Sequence, residues 1–124
     1  MTEEFDASKP IYMQLAERIN KKIIRNELGL GEKLPSVREM AVQSGVNPNT
    51  VQRTYSELER MGIVETRRGQ GTFVTENKEV IKRLREQLKQ EIMSEFVRNM
   101  KELGFTMDEI ITSLKDINQK EGGV

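Results

Sequence analysis

The chain has no cysteine and no histidine among its 124 residues. Those absences remove disulfides, thiol nucleophiles, the usual Cys/His metal sites and the commonest general base, leaving only carboxylate, hydroxyl or lysine chemistry. No carboxylate pair clusters in the sequence and no phosphate-binding loop is present; RGQG at 68–71 is too short and wrongly placed for one. An enzyme is disfavoured, and no cofactor is indicated. Long apolar runs are missing as well. Nothing approaches the roughly 18 apolar residues of a membrane helix, and the opening MTEEFDASKP is acidic and polar where a leader would be basic and then apolar. A cytoplasmic protein without membrane association is expected. Net charge is the last absence: 20 Lys and Arg balance 20 Asp and Glu, whereas a free-standing nucleic-acid binder is usually basic.

What is present lies mostly between Leu34 and Thr75. The run LPSVREMAVQSGVNPNTVQRTYSELERMGIVETRRGQGTFVT reads as a short helix, a glycine turn, a second helix and a two-stranded wing with a basic tip. That is the layout of a winged helix-turn-helix, which enters a DNA groove. Charge is better placed here than in the whole chain. From Lys33 to Thr75 six basic residues face four acidic ones, and the arginines at 38, 67 and 68 fall at a helix start and a hairpin tip.

Local signals set the elements. Ser8 and Pro10 open a first helix over about residues 9–28, with Ile11, Leu15, Ile19, Ile23 and Leu28 on its apolar side. The opposite side, with Glu17, Arg18, Lys21, Lys22 and Arg25, reads first as a solvated surface. Ser36 and Glu39 form a capping box for a second helix that buries Val37, Met40 and Ala41 and stops at Gly45. Asn47 caps the third helix and Pro48 takes its first position; Val51, Tyr55, Leu58 and Met61 are its inward stripe. Residues 63–66 and 72–75 then flank Arg67-Arg68-Gly69-Gln70-Gly71 as a hairpin.

After Thr75 the pattern changes. Ile81, Leu84, Leu88, Ile92, Phe96, Met100 and Leu103 span 22 residues in six steps, a mean of 3.67. This eleven-residue periodicity keeps the seam on one side of a nearly straight helix. Gly104 ends it, and Thr106/Glu109 with Phe105/Ile110 give a capping box and hydrophobic staple for a last helix using Ile111, Leu114 and Ile117. The two helices are expected to form an αα-hairpin, and the closing Glu-Gly-Gly-Val to fray. The fold class is thus mainly α with a small β wing: a DNA-binding domain over 1–75 and a two-helix dimerisation domain over 76–124.

Base reading needs side chains at groove edges, supplied by the early turns of the second helix of the motif. Here these are Asn47, Asn49, Thr50, Gln52 and Arg53. Asn or Gln can bind adenine bidentately, Arg can do so to guanine, and Thr can meet phosphate or the thymine methyl. A purely structural alternative stays open: Asn47 as a cap, Asn49 and Thr50 as ordinary first-turn residues, Arg53 as a surface charge. Arg38 stands where its helix crosses the DNA backbone, with a surface salt bridge as the alternative. In the wing, Arg67 and Arg68 can neutralise phosphates while Gly69 and Gly71 permit close backbone approach. The seam of seven apolar residues from Ile81 to Leu103 needs cover that a final helix of about 13 residues is too short to give. Pairing with a second copy supplies it; a purpose-built effector cavity between two helices is the less favoured reading.

PIYMQLAERIN at 10–20, LPSVREMA at 34–41, GVNPNTVQRTYSELERMGIVE at 45–65 and RGQGTFV at 68–74 resemble the GntR family of bacterial winged-helix transcription regulators. The likeness covers about residues 9–75. The short helical tail is similar to the YtrA-like branch, and the resemblance implies a homodimer, mostly a repressor, often acting on a neighbouring ABC-transporter operon. It implicates Arg38, the Asn47–Arg53 segment and Arg68-Gly69 in contact with double-stranded DNA, and it implies no particular small-molecule effector. Pro48 and Gln52 depart from relatives that carry a base-reading Arg there. The competing class of function is a protein-interaction module with a coiled adaptor tail, for which DNA selection would enrich no sequence.

Overall fold

The computed structural model describes residues 4–121. The fraying expected of the terminal glycines and valine lies outside them. Among the described residues five helices and one two-stranded sheet follow in the order α1 (Ile11–Ile24), α2 (Val37–Ser44), α3 (Pro48–Arg60), β1 (Val64–Arg67), β2 (Gly71–Val74), α4 (Lys78–Glu102) and α5 (Met107–Lys120). The chain divides into two compact units at Arg85/Glu86, within α4.

In the first unit, α1 buries Leu15, Ala16, Ile19 and Ile23, spaced so that all fall on one helix face. It is shorter than its apolar pattern suggested. Ser8 does not cap it: its N–H and hydroxyl both donate to the Asp6 carboxylate, at 2.9 and 2.8 Å, and Pro10 is the N-cap. At the other end Asn26 takes φ 65°, a left-handed conformation Asn tolerates. The N–H groups of Glu27 and Leu28 then turn back to the Lys22 carbonyl, so Leu28 lies beyond the helix. The buried amide of Gln14 holds the preceding segment, accepting from the Asp6 N–H at 2.7 Å and donating to the Asp6 and Lys9 carbonyls at 2.6 and 2.9 Å.

The capping box of α2 forms as its sequence requires: Glu39 N–H donates to Ser36 Oγ at 3.1 Å and Ser36 N–H to Glu39 Oε1 at 2.9 Å. Gly45 ends the helix at φ 68°, a conformation glycine adopts without steric cost. Asn47 Oδ1 accepts from Asn49 N–H at 2.8 Å, and α3 begins at Pro48. Val51, Tyr55 and Leu58 are buried, but Met61 is 40% exposed, because the helix closes at Arg60 and carries Met61 past the core. Thr54 is fully buried in its place; its hydroxyl donates to the Thr50 carbonyl at 2.9 Å and across to the Tyr12 carbonyl of α1 at 3.1 Å. Tyr55 donates its hydroxyl to the Pro35 carbonyl at 2.7 Å, and burial, followed by the nearby Glu39 carboxylate, holds the phenol above its ordinary pKa.

The wing pairs β1 and β2 antiparallel with Arg67 opposite Gly71. The tip is therefore Arg68-Gly69-Gln70, tighter than the five residues expected, closed by Gln70 N–H to Arg67 C=O at 2.8 Å with Gly69 at φ 77°. The far edge of β2 is also occupied. Gly31 N–H meets Val74 C=O at 3.0 Å, Val74 N–H meets Glu32 C=O at 2.8 Å, and Leu34 N–H meets Thr72 C=O at 2.8 Å. Buried Leu34, Ile63, Val64 and Val74 anchor these strands to the helices. Leu84, the one buried residue of α4, lies before the division and serves this unit, not an external face as its place in the seam suggested.

In the second unit α4 runs to Glu102, Gly104 turns the chain at φ 92°, and the Thr106/Glu109 box caps α5 at 3.2 and 3.0 Å. Ile110 is buried. The remaining large apolar side chains are not: Ile92 and Phe96 of α4, Leu103 just beyond it, and Ile111, Leu114 and Ile117 of α5 are exposed, and Leu88 and Met100 are half-buried.

Candidate nucleic-acid interface

With Val51, Thr54, Tyr55 and Leu58 turned inward, a 100° step per residue leaves Asn49, Arg53, Ser56 and Arg60 on the outward side of α3, with Gln52 at one flank. Asn49, Gln52 and Arg53 are exposed and Thr50 is half-buried. Gln52 makes only a long 3.4 Å bond to Ser56 Oγ, so its amide is close to free. Arg60 is occupied by Glu57, whose carboxyl the Arg60 side-chain hydrogen bond lowers in pKa. Asn47 is also exposed, yet its side-chain oxygen already caps the helix; its amide nitrogen is the group wholly left for another partner.

Arg53 is tied to α1. Its guanidinium carbon lies 3.9 Å from the centre of the Tyr12 ring, and both border an open groove with Pro10, Ile11, Asn49 and Thr50. No sequence periodicity pairs positions 12 and 53; the contact exists because α1 packs on α3.

The basic residues around α3 differ in their freedom. Arg38, in the first turn of α2, is exposed, and among the described residues it has no ion-pair partner, so the salt-bridge alternative finds no carboxylate. Arg68 at the wing tip is likewise exposed and unpaired among the described residues. Arg67 is half-buried, stacked 4.2 Å above the Phe73 ring and 3.5 Å from Glu65. Gly69 faces open space, whereas a Cβ at Gly71 would meet Lys33 Cε at 2.8 Å. Gly71 thus makes room for the Lys33 stem, and Lys33 joins the wing near its tip as a basic residue that the sequence did not single out for the site. The pairing of residues 31–34 with β2 brings it there, and no local motif announces that pairing.

Among the described residues no three His, Cys, Asp or Glu side chains gather to hold a metal ion, and no helix is long and apolar enough to cross a membrane.

A short helix, a glycine turn and an outward-facing second helix, followed by a two-stranded wing, define a winged helix-turn-helix protein. The chain belongs to the gntR family of bacterial regulatory proteins, DNA-binding transcription regulators, whose family model matches residues 11–74. It is 54% identical over 123 residues to the HTH-type transcriptional regulator YhcF of Bacillus subtilis, covering 99% of this chain and 100% of that one. It is 43% identical over 93 residues to the HTH-type transcriptional repressor YtrA of the same organism, covering 70% and 72% of the two chains. A solved GntR family regulator from Listeria monocytogenes superposes with a TM-score of 0.87 at 40% identity, over 90% of this chain and 98% of that one. The DNA-binding domain of AraR, solved with its operator ORX1, matches 60% of this chain and 92% of its own at 26% identity and a TM-score of 0.53. These relatives are regulators, not enzymes.

Proposed function

We propose that the chain is a homodimeric transcription repressor acting in the cytoplasm, which blocks a promoter by occupying an inverted-repeat operator. Asn49, Thr50, Gln52 and Arg53, with the amide nitrogen of Asn47, read base edges; Arg38, Arg68 and Lys33 neutralise phosphates, and Arg67 and the glycine tip follow the backbone. The observation that carries this reading is the outward polar side of α3 flanked by Arg38 and Arg68, which have no ion-pair partner among the described residues. It also answers the zero net charge, since the acids beside this surface, Glu57 and Glu65, are engaged by Arg60 and Arg67. In this division of labour residues 1–75 read DNA and residues 76–124 hold two copies together through Ile81, Leu88, Ile92, Phe96, Met100 and Leu103. Support comes from the exposed apolar sides of α4 and α5 and from the repressor YtrA among the relatives. The likeness to YtrA also favours an ABC-transporter operon as the regulated unit. Two copies related by a two-fold axis would place their reading helices about 34 Å apart on one side of DNA.

Selection of bound fragments from a random DNA pool tests the reading in one step. The expected product is two inverted half-sites at fixed spacing. No enriched sequence, a direct repeat, or a solitary half-site would overturn it.

A further inference from the structure

We propose that Tyr12, in the first turn of α1, is a positioning residue for Arg53, so that base selection by α3 depends on a ring carried by another helix. The inference rests on the base-reading role proposed above for Arg53. A long arginine on a helix surface loses considerable rotamer freedom when it binds. An aromatic face that attracts the guanidinium removes part of that loss beforehand. The Tyr12 ring is 3.9 Å from the guanidinium carbon, which is within stacking range.

The backbone that carries the ring is held in place. The hydroxyl of fully buried Thr54 donates to the Tyr12 carbonyl at 3.1 Å, fixing the α1 backbone against the residue next to Arg53 in sequence. Glu57, the carboxylate one helical turn on from Arg53, is taken by Arg60, and among the described residues Arg53 makes no ion pair. Stacking uses the guanidinium face and leaves its N–H edge, which can meet guanine O6 and N7 across the open groove.

Random-pool selection and salt-dependent binding of the full chain carrying Tyr12→Leu, Tyr12→Phe, Arg53→Ala or Tyr12→Leu/Arg53→Ala test the proposal. Tyr12→Leu should weaken the preference for the base that Arg53 reads by about two- to fivefold, leave the salt slope unchanged, and add nothing once Arg53 is alanine. Tyr12→Phe keeps the ring and should keep the motif. Half-buried Tyr12 lines an open groove, so Tyr12→Gln serves as a second ringless variant if Tyr12→Leu fails to fold. An unchanged motif in the ringless variants, an effect additive with Arg53→Ala, or a uniform affinity loss in Tyr12→Phe, as a direct hydroxyl–phosphate contact would give, overturns it. A wild-type chain that selects no motif removes the reading role of Arg53 and the proposal with it. A wild-type motif indifferent to Tyr12 removes the proposal alone.

Discussion

Residues up to Arg85 and residues from Glu86 onward carry comparable apolar periodicity, but they dispose of it differently. In the first unit Leu15, Ile19, Leu34, Val51, Leu58, Ile63 and Val74 are at most 2% exposed. Among the described residues of the second only Ile110 is buried, while Ile92 and Leu103 are 62% and 73% exposed. A continuous apolar face on a monomeric surface is uncommon and marks an interaction site. The first unit buries most of its hydrophobic pattern within itself, and the second leaves most of its pattern exposed.

The sharpest way to break this contrast is to truncate one side chain of each kind. Leu58→Ala should cost about 2–5 kcal/mol of stability, the range for a buried leucine, and should lower the thermal midpoint whatever the protein concentration. Phe96→Glu or Leu114→Glu should instead act on assembly, weakening association by about 30-fold or more if either side chain is a hot spot. Sedimentation across a concentration series reads the difference. Equal stability losses with no change in mass would place both units on the same footing and end the dimer proposal.

A smaller contrast lies among the arginines. Arg68→Ala and Arg38→Ala should each lower the log–log salt slope of DNA binding by about one and leave the selected sequence intact, as a lost phosphate contact does. Arg67→Ala should change the slope less, because Glu65 already offsets part of that charge and Phe73 holds the side chain. An equal effect from all three would mean that DNA strips Arg67 from these partners.

The elements legible in the sequence were those decided within a few residues. Ser36 and Glu39, Asn47 with Pro48, Thr106 and Glu109, and Gly45 each satisfy helix-end groups in their own vicinity, and each does so in the structure. What escaped was decided by contacts distant in sequence. Thr54, a polar residue outside the expected apolar stripe of α3, is buried with its hydroxyl on the Tyr12 carbonyl 42 positions away. Lys33 becomes part of the wing only because residues 31–34 pair with β2. The early end of α1 was missed for a different reason: a left-handed Asn26 interrupts an apolar spacing that continues through Leu28. Of the proposed reading surface, the outward positions followed from helical periodicity, whereas the stacking of Arg53 on Tyr12 did not.

The two capping boxes permit the finest comparison, one motif in both units. Ser36→Ala and Thr106→Ala should each cost about 1 kcal/mol, but Ser36→Ala should register in the melting of the DNA-reading unit and Thr106→Ala in the stability of the associated helices. At Ser36 the box also has a pH signature. The Ser36 backbone N–H first, and its hydroxyl second, hold the Glu39 carboxyl below the ordinary glutamate pKa. A folded-state pKa below the unfolded one means that this contribution is complete above the unfolded pKa and is lost as pH falls through the folded value. Acid therefore loosens the start of α2, where Arg38 stands. Following the Glu39 carboxyl carbon by NMR should show a depressed titration in the wild type. In Ser36→Ala it should move up only part of the way, since the larger cause, the backbone donor, survives the substitution. Complete return to the ordinary value would mean that the hydroxyl, not the backbone, holds the box together.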